Sequence, residues 1–124
     1  MNIPNELLYT KTHEWVKVEG KTAKVGITDY AQSEITDVVH VELPAVPKTV
    51  KVMTPIVVIE SVKSAFDIYS PLSGQITKVN DKLKASPELV NQDPYGEGFL
   101  FEIEISDESE LAALLKSQDY QNSI

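Results

Sequence analysis

The feature that most constrains the fold of this chain is a pair of short apolar segments on either side of a brief, mostly polar break. Residues 57–59 are apolar, and apolar side chains then return at alternate positions, at Phe66, Ile68 and Leu72. Alternation on both sides of such a break predicts two β-strands that are joined by a tight hairpin. Lys63 falls at or beside the tip of this hairpin, so we expect its side chain to point away from the body of the domain.

Other segments of the chain repeat this short alternating pattern. Residues 14–18 and 21–27 flank a turn at Glu19-Gly20 and predict a second hairpin. Gly26, inside one of these strands, indicates a bulge or a close approach of another backbone segment. Further strands are expected at residues 38–43, 76–79 and 99–105. Many short strands between turn residues indicate a mainly β fold, as a small antiparallel barrel or sandwich.

Two polar residues predict the starts of helices. Thr28 is expected to cap a short helix that continues to Ile35. Ser106 is expected to cap a final helix at about residues 107–116, with acidic residues in its first turn. Its apolar face would be formed by Leu111, Leu114 and Leu115. This helix would pack against the outside of the β-rich part.

The composition is that of an ordinary globular domain, and it excludes several kinds of chemistry. With 124 residues, of which 42% are hydrophobic, the chain can form one modest core. We predict a single domain over residues 1–124, with its core at about residues 9–105. Cysteine is absent, which excludes disulfides, thiolate metal sites and a cysteine nucleophile. His13 and His40 have no further ligand at metal-binding spacing, so we interpret both as structural.

The sequence contains no segment typical of export or membrane insertion. Its first residues lack a basic region followed by an apolar one, and no apolar run approaches the length needed to span a bilayer. We therefore expect a soluble, cytoplasmic protein without a membrane partner.

The net charge of −8 arises in the last third of the chain. Residues 1–84 carry ten acidic side chains and ten lysines, whereas residues 85–124 carry nine acidic side chains and only Lys116. The acidic region is either a solvated face that maintains solubility or a docking surface for basic partner proteins. Arginine is absent and no basic stripe exists, so binding to nucleic acid is not expected.

An ordered series of sequence blocks resembles the biotinyl/lipoyl carrier domains, and among them most closely the H proteins of the glycine cleavage system. The blocks are Glu60-Ser61-Val62-Lys63 with Asp67, Ser70-Pro71-x-Ser73-Gly74, His13-Glu14-Trp15-Val16, Val25-Gly26-Ile27-Thr28-Asp29-Tyr30-Ala31-Gln32, Val41-Glu42-Leu43-Pro44 and Asp93-Pro94-Tyr95-Gly96-Glu97-Gly98. Each block is weak alone, but the ordered set is specific and extends from about Tyr9 to Tyr120. The sequence departs from the family at Phe66, where members mostly carry a small residue, and in the loop at residues 45–55.

The resemblance implies a barrel-sandwich hybrid fold and lipoate in amide linkage to Lys63. The motif read by a lipoylating enzyme would comprise Glu60, Ser61, Val62, Ser64, Ala65 and Asp67. Family members carry the aminomethyl group of glycine from a pyridoxal-phosphate-dependent glycine decarboxylase, the P protein, to a tetrahydrofolate-dependent aminomethyltransferase, the T protein. Dihydrolipoamide dehydrogenase, the L protein, then reoxidises the arm. The carrier catalyses none of these steps, so the resemblance implies a carrier subunit that is not an enzyme.

In the family, the amine-loaded arm folds back into a surface cleft that protects a labile, positively charged adduct from water. The matching positions in this chain are Thr12, Glu14, Glu34 and Asp67. Glu14 and Asp67 carry carboxylates that are suited to pair with an ammonium group. Thr12 and Glu34 lie at variable positions, and their contribution is a hypothesis.

The residues alone leave other interpretations of Lys63 open. Most lysines at hairpin tips are simply solvated, and a biotin carrier would share the fold. Biotin sites favour methionine on both sides of the lysine, however, whereas Val62 and Ser64 flank Lys63. An enzyme with a Schiff-base lysine would need a neutral amine, and the nearby acidic side chains favour the charged form. A donor of lipoyl or octanoyl groups to other proteins would need the same modified hairpin, so the sequence does not separate that role from glycine cleavage.

Overall fold

The computed structural model describes residues 1–124 and contains nine strands in two antiparallel sheets. In chain order the strands are β1 (Leu8–Tyr9), β2 (Glu14–Glu19), β3 (Thr22–Ile27), β4 (Val38–Glu42), β5 (Lys48–Val50), β6 (Pro55–Ser61), β7 (Ala65–Tyr69), β8 (Gly74–Val79) and β9 (Phe101–Ile105). The larger sheet has the order β1-β2-β3-β9-β8-β5, and the smaller has the order β4-β6-β7. The predicted mainly β fold is confirmed, as are the hairpins β2–β3 and β6–β7.

The alternating strands bury one main core. This cluster contains 20 buried residues, drawn from both sheets and from the helices between them. Strand β9 shows how the pattern works, since Phe101, Ile103 and Ile105 are buried while Glu102 and Glu104 are not. A smaller cluster of four buried side chains lies apart from the main core and consists of Leu7, Tyr9, Trp15 and Tyr120.

Short helices lie between the strands and after the last of them. They are α1 (Asp29–Ile35), α2 (Lys82–Ala85), α3 (Leu89–Gln92) and α4 (Ser117–Ser123), together with a 3-10 helix at Glu108–Ala113. Thr28 caps α1 as predicted, because its hydroxyl accepts a hydrogen bond of 3.1 Å from the backbone N–H of Ala31. None of these helices combines the length and the apolar character needed to cross a membrane.

The predicted C-terminal helix at about residues 107–116 is wrong in its extent. A 3-10 helix, capped by Asp107 instead of Ser106, occupies Glu108–Ala113, and the α-helix begins only at Ser117. Between them the backbone is extended, because the N–H and C=O groups of Leu115 pair with those of Tyr9 at 2.7 and 2.8 Å. Leu114 therefore packs on the main core, whereas Leu115 packs on the smaller cluster.

Candidate functional site

Lys63 lies at the tip of the β6–β7 hairpin, and Ser61 organises the turn that presents it. The backbone N–H of Ser61 donates to the carbonyl of Ser64 at 2.8 Å. The hydroxyl oxygen of Ser61 accepts hydrogen bonds from the N–H groups of Lys63 and Ser64, at 3.1 and 3.2 Å. Val62 and Lys63 are the two residues that the turn leaves outside, and both side chains are exposed. One short side chain thus satisfies two backbone N–H groups of the turn.

The corner between α1 and β4 supports the hairpin tip from the side. The carbonyl of Asp37 accepts a hydrogen bond of 3.0 Å from the N–H of Val62. The carbonyl of Glu34, at the C-terminal end of α1, accepts one of 3.3 Å from the ammonium group of Lys63. A positive group at this end of a helix is also favoured by the helix dipole. In the unmodified chain, the lysine side chain therefore lies towards α1.

A cleft of about 400 Å³ opens beside Lys63. It is lined by the segment Thr12-His13, by Ile27, by Tyr30, Ala31, Glu34 and Ile35 of α1, and by Phe66, Asp67 and Ile68 of β7. Most of these side chains are apolar, while Glu34 and Asp67 add carboxylates. A cleft of this kind can accept a flexible apolar chain that ends in a positively charged group.

Three of the four residues predicted for the cleft do line it. Thr12, Glu34 and Asp67 come from a loop, a helix and a strand that are far apart in sequence, and the fold brings them together with Lys63. The ion pairs in the structure join Lys78 to Glu102, Lys82 to Glu97 and Lys84 to Asp81. Neither Lys63 nor Asp67 takes part in one. The carboxylate of Asp67 is therefore free to pair with a ligand, and that of Glu34 is in no ion pair either, although Tyr30 donates a hydrogen bond to it.

Glu14 does not line the cleft, in contrast to the prediction. Its side chain is fully buried, and its carboxylate accepts hydrogen bonds from the hydroxyls of Thr10 and Thr12. The N–H of Tyr69 approaches its second oxygen at 3.4 Å. Burial raises the pKa of Glu14, and the hydroxyl donors oppose that shift. Thr12 lines the cleft and donates to Glu14, so the buried carboxylate is linked to the site through that hydroxyl.

Seven of the residues that line the cleft were not predicted as part of the site, and among them His13 and Tyr30 add polar groups. His13 has a positive φ of 74°, and its Nδ1 shares a hydrogen bond of 2.8 Å with the hydroxyl of Tyr120. Burial lowers the pKa of His13, while the charge of Glu34 opposes this. A hydrogen bond to Glu34, four residues later on α1, raises the pKa of Tyr30. The spacing of Tyr30 and Glu34 is the one signal in the sequence that could have placed Tyr30 on the cleft side of the helix.

The residues predicted as a modification motif surround the tip. Glu60 pairs with Ala65 across the hairpin, one step below Ser61 and Ser64, and Asp67 pairs with Val58. Exposed carboxylates of Glu60 and Asp67 therefore flank the lysine on the hairpin itself. No group of three or more His, Cys, Asp or Glu side chains is placed to hold a metal ion.

Comparison with known proteins gives a consistent result. The sequence model of the family described as glycine cleavage H-protein matches residues 7–124. The glycine cleavage system H protein of Endomicrobium trichonymphae is 64% identical over 124 residues, which is 100% of both chains. That of Thermotoga maritima is 58% identical over 113 residues, or 91% of each chain.

A solved structure agrees with the architecture. The crystal structure of a glycine cleavage system H protein from Mycobacterium marinum superimposes with a TM-score of 0.87 at 34% sequence identity. The match covers 98% of this chain and 100% of that one. The two sheets described above are thus the lipoyl-domain-like barrel-sandwich hybrid that the sequence led us to expect.

Proposed function

The chain belongs to the glycine cleavage H-protein family, and from this premise we propose that Lys63 is the residue through which it carries lipoate. Membership in this family makes the chain a lipoyl carrier of the glycine cleavage system. The observation that supports Lys63 is its position: it is exposed at the tip of a hairpin and stands at the mouth of a cleft. No other lysine of the chain lines that cleft.

The site fits lipoate in shape and chemistry. The lysine stem and an acyl chain together form a long flexible tether, which raises the effective concentration of its end at each partner's site. When attached, lipoate supplies a redox-active disulfide to which a one-carbon group can be transferred. Amide formation removes the lysine charge, so the arm can lie on the apolar side chains of the cleft.

We assign the following roles to the residues of the chain itself. The apolar wall formed by Ile35, Phe66 and Ile68 would exclude water from the arm. Glu34 and Asp67 would hold a positively charged amine at the end of the arm by charge-assisted hydrogen bonds. Thr12 would orient this end, since its hydroxyl is already fixed by donation to the buried carboxylate of Glu14.

The partners that we propose are those of the family. They are the glycine decarboxylase, the aminomethyltransferase, dihydrolipoamide dehydrogenase and a lipoylating enzyme. The exposed acidic side chains Glu60 and Asp67 on the hairpin support docking to basic surfaces of these proteins. The chain would contribute no catalytic residue to their reactions and would act as a non-catalytic carrier.

Intact mass measurement and peptide mapping test the assignment of Lys63. The protein is produced in cells that lipoylate their own carriers, as wild type, Lys63→Arg and Lys21→Arg. Lys21 is an exposed lysine beside the turn of the β2–β3 hairpin, and it serves as the matched control. We expect one lipoyl increment in the wild type and in Lys21→Arg, and none in Lys63→Arg. An unmodified wild type would refute the proposal, and a biotin increment would assign the chain to the biotin carriers.

A second experiment separates glycine cleavage from donation of the acyl group to other proteins. The lipoylated chain is incubated with labelled glycine and the decarboxylase, and loading of the chain is followed by mass spectrometry. Glycine-dependent loading is expected. Transfer of lipoyl or octanoyl groups to other carriers without any loading from glycine would favour the donor role instead.

The cleft carboxylates are tested on the loaded protein. Glu34→Ala and Asp67→Asn are compared with Glu42→Gln, a control on the outward side of β4 that lies outside the cleft. We expect both cleft variants to shorten the lifetime of the aminomethyl adduct and the control to leave it unchanged. Equal lifetimes in all variants would remove the proposed role of the carboxylates.

A further inference from the structure

The corner between α1 and β4 contains a residue in an unfavourable backbone conformation. Thr36 has φ 70° and ψ −155°, a region that is adopted almost only by glycine. A β-branched side chain is especially poorly accommodated at positive φ. Such a conformation persists only when its surroundings hold it in place. The contacts that hold Thr36 are therefore informative about what the corner does.

Asn91, on helix α3, holds both sides of this corner. Its side-chain amide donates to the carbonyl of Thr36 at 2.8 Å and to the side-chain oxygen of Gln32 at 3.1 Å. Its own side-chain oxygen accepts a hydrogen bond of 2.9 Å from the N–H of Val38. One side chain thus ties the end of α1, the strained residue and the start of β4 together.

The corner in turn contacts the hairpin tip through two carbonyl groups. The carbonyl of Asp37, next to Thr36, accepts a hydrogen bond of 3.0 Å from the N–H of Val62. That of Glu34 accepts the ammonium group of Lys63 at 3.3 Å. The pairing of β4 with β6 is also irregular here, because the register shifts between Val38 and His40 beside Ser61. The tip is therefore supported by the corner as well as by the β6–β7 ladder below it.

We propose that Asn91 is a positioning residue for the modification of Lys63. By holding the strained corner, it keeps the carbonyl of Asp37 under Val62 and so fixes the orientation in which the tip is offered to the lipoylating enzyme. This inference rests on the proposed modification of Lys63. Loss of the brace leaves the hairpin folded but lets the tip sample other orientations. Because only the competent fraction binds, the apparent affinity of the enzyme falls in proportion.

The chain provides a closely matched control in Asn80. Its side-chain amide donates to the carbonyls of Glu97 and Phe99 at 2.6 and 2.8 Å, and its side-chain oxygen accepts from the N–H of Lys82 at 3.3 Å. Asn80 thus braces a loop by the same chemistry as Asn91 but has no contact with the corner or the tip. Asn80→Ala reports the general effect of removing such a brace.

The test combines amide hydrogen exchange with the kinetics of lipoylation, using the full chain. In Asn91→Ala we expect exchange of the Val62 amide to rise about two- to tenfold, the factor that loss of a typical hydrogen bond produces. The KM of a lipoylating enzyme for the chain should rise by a similar factor, while kcat is unchanged. Asn80→Ala should change neither quantity.

Replacing Thr36 separates positioning from a general loss of stability. Glycine adopts the observed dihedral angles without strain. Thr36→Gly in the Asn91→Ala chain should therefore slow exchange of the Val62 amide to near the wild-type rate and reverse most of the rise in KM. The inference is overturned if Asn91→Ala and Asn80→Ala raise the KM alike, or if Asn91→Ala leaves Val62 exchange at the wild-type rate. A wild type that is never lipoylated would refute the proposed function, and Val62 exchange would still decide whether the brace exists.

Discussion

Gly26 offers a sharp test of how the β2–β3 hairpin is packed. It pairs with Trp15 across the two strands, and the indole lies over the position where a side chain would begin. A Cβ atom built on Gly26 would lie 2.6 Å from Nε1, 2.7 Å from Cε2 and 2.8 Å from Cζ2 of Trp15. A Cβ atom does not come this close to a non-bonded atom, so Gly26→Ala must displace the indole.

The expected loss of stability follows from what holds the indole in place. Trp15 is fully buried, and its Nε1–H donates a hydrogen bond of 2.9 Å to the carbonyl of Pro94. Overpacking a core by one carbon typically costs about 1–3 kcal/mol, and loss of the hydrogen bond adds about 1 kcal/mol. We expect Gly26→Ala to lower the free energy of unfolding by about 2–4 kcal/mol, which corresponds to a fall in Tm of about 8–15 °C for a domain of this size.

Denaturant unfolding followed by circular dichroism measures this loss, and the fluorescence of Trp15, the only tryptophan, reports the displacement. Gly20→Asn is the matched control in the same hairpin. Gly20 has a φ of 66°, which asparagine tolerates, and no atom lies within 4 Å of its potential Cβ. The control should stay within about 0.5 kcal/mol of the wild type. A Gly26→Ala chain that is as stable as the control, with unchanged fluorescence, would refute the steric reasoning.

Three further substitutions test other contacts. Burial raises the pKa of Glu14, so ionisation of this carboxyl group opposes folding. The free energy of unfolding of the wild type, relative to that of Glu14→Gln, should therefore fall as the pH rises from about 4 to about 8. A constant difference across that range, measured by urea unfolding, would contradict this. Tyr120→Phe removes the hydroxyl that shares a buried hydrogen bond of 2.7 Å with Thr28, and should cost about 1–2 kcal/mol in the same assay; a loss below about 0.5 kcal/mol would argue against it. Glu110→Ala removes the carboxylate that accepts both the N–H and the hydroxyl of Ser73 at 2.7 Å, so exchange of the Ser73 amide should accelerate while that of core amides does not.

Most of the longer strands could be predicted from the sequence because apolar and polar residues alternate along them, whereas β1 and β5, with two and three residues, are too short to show such a pattern and were not predicted. Phe101, Ile103 and Ile105 show the alternation in β9, where local pattern and tertiary burial agree. The C-terminal segment could not be predicted in the same way. Its leucines have helical spacing, but the backbone of Leu115 pairs with that of Tyr9, more than a hundred residues earlier. No local signal indicates that a long-range pairing will interrupt the helix there.

The same limit applies to Glu14. A carboxylate at the start of an exposed-looking strand is expected to face solvent, since burying a charge is costly without partners. Here the partners are local: the backbone turns sharply at residues 10–14, with a positive φ at His13, and both Thr10 and Thr12 direct their hydroxyls to the carboxylate. The turn contains neither glycine nor asparagine, so nothing in its composition signals this arrangement.

The hairpin tip shows why a site can be located from a sequence without its rigidity being predictable. Alternation on both sides of residues 60–65 was enough to place Lys63 at a turn. Two-residue hairpin turns usually rely on residues with positive φ, such as glycine or asparagine. Neither Val62 nor Lys63 has a positive φ. The turn is held instead by the hydroxyl of Ser61 and by the carbonyl of Asp37, which lies in the corner between α1 and β4. The contacts of Ser61 are local and can be inferred from the sequence of the turn. The contact with Asp37 forms only when α1 and β4 are folded, so the orientation of Lys63 depends on the whole domain.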